Sequence, residues 1–147
     1  MALFTIEQDE RRPGGILPTA VIPFEQPVLY SADLGSCQAL DTFDADGIAA
    51  AFAEALRGAG ATIVQELSHA YPEHGLTCVL VLRESHAVLH TWPETGTVNI
   101  DIFSCSTRLK SLAAIEALGR LLGARQVSVQ EIPRADGRSQ VPAQAGA

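Results

Sequence analysis

Val98-Asn99-Ile100-Asp101-Ile102-Phe103 alternates apolar and polar residues with a period of two, as a half-buried strand does. Gln126 to Ile132 alternates in the same way and predicts a closing strand. Three further runs, Ala61 to Leu67, Leu76 to Leu82 and Ala87 to Trp92, are strand-like, and the tight Arg83-Glu84-Ser85-His86 stretch separates the last two. Pro27 to Leu34 suits a first strand. Elsewhere the period changes. Ile48, Phe52, Ala55 and Leu56 form one stripe of a helix that Asp44 or Asp46 can cap, running to about Arg57, with Gly58 and Gly60 as stop signals. A second helix fits Leu109 to Leu122, with Leu112, Ile115, Leu118, Leu121 and Leu122 on one side and Gly123 at its end. The order β-α-β-β-β-β-α-β predicts an antiparallel or mixed sheet with both helices on one face, which leaves the other face needing cover.

The flanks read differently. Arg11-Arg12-Pro13-Gly14-Gly15, Pro18, Pro23 and Pro27 make residues 1–27 an irregular arm, and residues 134–147 a small, polar, flexible tail, leaving 28–133 as the single domain. At 147 residues and 47% apolar the chain has enough material for one core. A formal charge of -7, with no run of Lys or Arg, argues against nucleic acid as a partner. No stretch of 18 apolar residues offers a membrane span and the N-terminus lacks the order of a signal peptide, so a soluble, cytoplasmic protein is expected. Cys37, Cys78 and Cys105 are odd in number and lack Cys-x-x-Cys spacing, which indicates neither a disulfide framework nor a zinc site. Lys110 is the sole lysine, so chemistry that needs an electron-accepting carbonyl would have to find it somewhere other than pyridoxal phosphate.

Chemistry-bearing residues concentrate between 68 and 105: all four histidines, the only tryptophan and two of three cysteines, interleaved with Glu73, Glu84, Glu94 and Asp101. His69, His74, His86 and His90 match no metal spacing, and no metal is expected. Cys105 with His90 as a thiol hydrolase lacks a third, orienting residue. The plainest account of the histidines is that they are partner-satisfied polar residues of a sheet. Cys78, inside an apolar strand, reads as a small buried hydrophobe, and Cys37 has no assigned role.

The run Glu84-Ser85-His86-Ala87-Val88-Leu89-His90-Thr91-Trp92-Pro93-Glu94, followed by Asp101-Ile102-Phe103-Ser104-Cys105, resembles the signature of the small prokaryotic S-adenosylmethionine decarboxylases. Weaker likeness runs from Asp33-Leu34 and Cys37, through Ser68-His69, Tyr71 and Gly75, to Val129-Gln130-Glu131-Ile132. The resemblance implies an α/β (α+β) two-layer sandwich, mainly antiparallel, with two helices on one face, working as a homodimer of cleaved αβ protomers with sites built from both. It also implies a covalent pyruvoyl cofactor. Ser85 would attack the Glu84 carbonyl, the ester would eliminate, and hydrolysis would leave a pyruvoyl group at position 85, the Schiff-base partner of a cationic small-molecule substrate. Thr77 and His90 are then helpers of that cleavage and Cys105 the proton donor to the decarboxylated carbon. Tyr71 falls where the family stacks an aromatic on adenine, and Glu94 where a carboxylate grips ribose hydroxyls. His86, Trp92 and Pro93 read as scaffold.

Departures from the family pattern fall near the expected substrate walls: Asp33-Leu34-Gly35-Ser36-Cys37 in place of Asp-Leu-Tyr-Gly-Cys, the Pro72 position in Tyr71-Pro72-Glu73-His74-Gly75, and Ser106 in place of glycine. The resemblance implies decarboxylation of S-adenosylmethionine for polyamine synthesis; the departures leave the same chemistry on L-ornithine or L-arginine as the first alternative, and an inactive regulatory homologue is the second.

Overall fold

The computed structural model describes residues 26–105 and 109–135. The arm read for 1–27 lies outside them except for Gln26 and Pro27, and so does the tail beyond Ala135. The elements are β1 (Val28–Gly35), a short 3-10 turn (Leu40–Thr42), α1 (Ala45–Gly58), β2 (Ile63–Tyr71), β3 (Gly75–Leu82), β4 (Ser85–Trp92), β5 (Thr97–Ser104), α2 (Ser111–Leu121) and β6 (Gln126–Pro133). One six-stranded sheet takes the order β2-β3-β4-β5-β1-β6, antiparallel throughout. Strands β2 to β5 form a meander, and β1 is then inserted between β5 and β6.

Asp44 caps α1, its carboxylate accepting from the Gly47 N–H at 2.7 Å, while Asp46 and Arg57 complement the two ends of the helix dipole. Ile48, Phe52, Ala53 and Leu56 of α1, with Ala114, Ile115 and Leu118 of α2, bury against Ala32, Leu34, Cys78, Leu80, Leu89, Ile100 and Ile102 of the sheet. The chain is thus a two-layer α+β sandwich with both helices on one face. Two positions of the second stripe turn out differently: Leu112 and Leu121 are 43% and 46% exposed. The helix approaches the sheet through small residues instead, and a Cβ on Gly119 would stand only 3.5 Å from Val127 and 3.9 Å from Leu34.

The strand bounds also shift. β2 continues past Leu67 to Tyr71, because Tyr71 pairs with Gly75 to close the hairpin. It is an edge strand exposed along nearly its whole length, so no apolar alternation marks its second half. Ser85 and His86 belong to β4, leaving only Arg83 and Glu84 in the loop. Among the described residues no helix covers the second face of the sheet. Leu67, Val81, Trp92 and Ile132 stand on it 66%, 42%, 43% and 39% exposed. Among the described residues no helix is long and apolar enough to cross a membrane.

Candidate active site

Leu82 pairs with Ser85, so β3 and β4 are joined by a two-residue loop, Arg83-Glu84. Glu84 takes φ +69°, a region that favours glycine and costs a side-chain-bearing residue about 1–3 kcal/mol. The strained residue is the one that precedes Ser85. The Arg83 N–H donates to the Thr62 carbonyl at 2.9 Å and pins the loop to the segment before β2. Register then places the thiol. β4 and β5 pair His86 with Phe103, and continuing that count sets residue 84 opposite residue 105. The Cys105 thiol accordingly donates to the Glu84 carbonyl oxygen at 2.8 Å. An open cleft of about 460 Å³, lined by Thr62, Arg83, Glu84, Ser85 and Leu109 among others, borders the Glu84–Ser85 bond. On the helix-free side of the same end, His86 stacks on Phe103 at 5.3 Å.

A second cluster occupies the other end of β4 on the helix-free face. His90 Nδ1 lies 2.7 Å from Thr77 Oγ1, and the Thr77 hydroxyl donates to the Tyr71 phenol oxygen at 3.3 Å. The Trp92 ring packs edge-on against His90 at 4.4 Å between centroids, and His69 meets Tyr71 at 4.6 Å. His90 Nε2 is buried and, among the described residues, has no hydrogen-bonding partner, a condition worth about 1–3 kcal/mol in a closed interior. The pairings place His69, Thr77, His90, Asn99, Asp33 and Ser128 in one polar row across all six strands. Glu94 is exposed in the β4–β5 turn at the same end. Gly75 at φ +100° holds the β2–β3 turn against it, since a Cβ there would lie 2.1 Å from the Thr91 carbonyl oxygen. The Cys37 N–H donates to Gly96 and ties the departing Gly35-Ser36-Cys37 segment to that turn.

The structure therefore brings Glu84, Ser85 and Cys105 together, and separately brings Tyr71, Thr77 and His90 together at the end that carries Glu94. It does not join the two groups within one chain. Ser85 and His90 are five strand residues apart, about 16 Å at ~3.3 Å per residue, and their side chains alternate to opposite faces. Sequence reasoning passed over Asn99 and Asp33: the Trp92 indole N–H donates to Asn99 Oδ1 at 2.6 Å, and Asn99 Nδ2 donates to Asp33 Oδ1 at 2.6 Å. The available signal was a polar residue alternating within β5 directly across from His90. Cys78 and Cys37 are buried, and burial pushes both thiols up. Among the described residues no three His, Cys, Asp or Glu side chains gather to hold a metal ion.

Comparison with known proteins gives a consistent result. A family model described as S-adenosylmethionine decarboxylase matches residues 29–135. The chain is similar to the S-adenosylmethionine decarboxylase proenzyme of Acidithiobacillus ferrooxidans, 35% identical over 103 residues that cover 70% of this chain and 77% of the relative. It is also similar to that of Methanococcus maripaludis, 32% identical over 102 residues, 69% of this chain and 84% of the relative. The crystal structure of the adenosylmethionine decarboxylase from Aquifex aeolicus superposes with a TM-score of 0.67 at 25% identity, covering 80% of this chain and 98% of that one.

Proposed function

Because the chain belongs to the S-adenosylmethionine decarboxylase family, we propose that it is a proenzyme that cuts itself between Glu84 and Ser85 and then decarboxylates S-adenosylmethionine. The observation that carries this reading is the Glu84 carbonyl itself: it belongs to a residue at φ +69° and accepts from the Cys105 thiol at 2.8 Å. Strain raises the starting peptide, and a donor already at the oxygen steadies the charge that develops there on attack. Ser85 Oγ bonds to the Glu84 carbonyl carbon as the amide C–N bond breaks, giving an ester. Loss of the Ser85 α-proton expels Glu84 as a carboxylate, and water hydrolyses the resulting dehydroalanine to a ketone with release of ammonia.

The residues fit a pyruvoyl group at position 85. Lys110, the sole lysine, precedes α2, and a serine-derived ketone at position 85 supplies what a lysine-bound cofactor would otherwise supply. A ketone held at position 85, beside Cys105, would supply the electron sink that loss of carbon dioxide from an amino acid needs. Cys105, whose thiol lies on the Glu84 carbonyl beside residue 85, hands a proton to the substrate carbon. Tyr71 stacks on the adenine and Glu94 accepts from the ribose hydroxyls. A net charge of -7 favours approach of a cationic sulfonium.

His90, Thr77, Tyr71 and Glu94 act from a second protomer in this reading. The helix-free face exposes Leu67, Val81, Trp92 and Ile132, and a two-fold axis lying between two such faces and across the strands lays the Ser85 end of one protomer over the His90 end of its partner. The unpartnered His90 Nε2 then meets groups of the other chain's hairpin.

Intact mass tests the proposal. The expected result is two chains, residues 1–84 and 85–147, the second bearing a ketone, with Ser85→Ala remaining one chain that releases no carbon dioxide from S-adenosylmethionine. An active preparation of uncut chain, or an active Ser85→Ala protein, overturns it.

A further inference from the structure

We infer that Asn99 is a positioning residue: it clamps the Trp92 indole through a bond relayed to Asp33, and the clamped indole holds the His90 ring in the orientation that proton transfer requires. The inference rests on the reading of His90 as a helper of the chemistry. Trp92 Nε1–H can only donate and the Asp33 carboxylate can only accept. Between them Asn99 has one consistent orientation, its oxygen toward the indole and its amide nitrogen toward Asp33, each bond 2.6 Å long. A carboxylate at position 99 would face Asp33 with like charge, and a hydrophobic side chain would satisfy neither neighbour.

The clamp acts where a small rotation matters. Asn99 is the cross-strand neighbour of both His90 and Asp33, so the relay runs along the row that contains the imidazole. His90 is fixed on its other side by Thr77 at 2.7 Å, and Trp92 closes the remaining direction at 4.4 Å. Trp92 is 43% exposed in the protomer and meets the His90 ring edge-on, and the bond to Asn99 fixes the rotation of its indole. Loss of that bond loosens the wall it sets against the imidazole, while the core on the opposite face of the sheet is untouched.

Trp92 is the only tryptophan, so its emission reports the clamp directly. In Asn99→Ala the emission is expected to move to longer wavelength and to become more open to acrylamide quenching. Self-cleavage should slow about tenfold, part of the roughly 10²–10⁴-fold that a positioned acid or base supplies. The loss should appear in the cleavage rate per folded chain, whereas a purely structural loss would reduce the folded fraction and leave the cleavage rate per folded chain and the Trp92 emission of the folded chains unchanged. Trp92→Phe keeps a ring against His90 but removes the N–H. It should reproduce the tenfold loss, the double variant should be no slower than either single one, and it serves as the test if Asn99→Ala does not fold. His90→Ala separates the two levels of the account. If it is cut at the normal rate, the reading of His90 fails and the inference with it; if it stalls while Asn99→Ala keeps normal kinetics and emission, the inference alone is overturned.

Discussion

At the Ser85 end of β4 the reactive groups are held by backbone, and at the His90 end they are held by side chains. Glu84 is strained by a two-residue loop, Arg83 is pinned through its N–H, and Cys105 arrives by strand register. By contrast His90 depends on Thr77, Trp92, Asn99 and Asp33 in succession. Under the proposed function the hairpin would be cut once, for which a fixed peptide suffices, while the His90 end would help that cut through His90 and Thr77 and hold substrate through Tyr71 and Glu94, its orientation set by replaceable side-chain contacts. The topology would tolerate such a cut, because β1, from the first segment, pairs on both sides with β5 and β6 of the second.

Substitutions at the two ends should separate kinetically. The largest effect is expected from Cys105→Ala at the hairpin end: carbon dioxide release per cut chain should fall by about 10²–10⁴ with KM little changed. Cleavage should slow less, since a thiol is a weak donor to the Glu84 oxygen. At the opposite end Tyr71→Ala should slow cleavage only a few-fold, through the lost bond to Thr77, and raise KM by a factor equivalent to the about 1–3 kcal/mol that base stacking contributes, read from initial rates against substrate concentration. An equal loss in both readouts for both variants would break the contrast. Glu84→Gly sharpens it further. Glycine adopts φ +69° freely, so relief of about 1 kcal/mol of strain should raise the melting temperature of the uncut chain while slowing the cut about fivefold in an intact-mass time course. The smallest effect concerns the buried thiols. Burial raises the folded pKa of Cys37 and Cys78, so unfolded chains ionise first, and stability should decline as pH rises above the unfolded value of about 8.5, seen as a falling denaturant midpoint. Both thiols should alkylate only on unfolding.

Much of this was legible in the chain because alternation and helical stripes report burial, and burial dominates β3, β4, β5, α1 and α2. Position 85 and its neighbours were legible through the Glu84-Ser85-His86 and His90-Thr91-Trp92-Pro93-Glu94 runs. β2 beyond Leu67 was not, because an edge strand exposed on both faces carries no periodic signal. Nor were the outward Leu112 and Leu121, whose fate depends on how closely Gly119 lets α2 approach the sheet. The separation of Ser85 from His90 was present in the count of residues along β4, but its meaning needed the bare face and the register. Asn99 and Asp33 became visible only as neighbours in a row that five strand pairings create.

The central claim is that the two ends of β4 act on one another across protomers. Ser85→Ala and His90→Ala chains with different tags, co-expressed and isolated as the mixed dimer, test it most directly. Each chain alone should remain uncut. In the mixed dimer the His90→Ala chain keeps Ser85 and can borrow His90 from its partner, so the account predicts that this chain, and not the Ser85→Ala chain, is cut between Glu84 and Ser85. A His90→Ala chain that remains at full mass in the mixed dimer would contradict it.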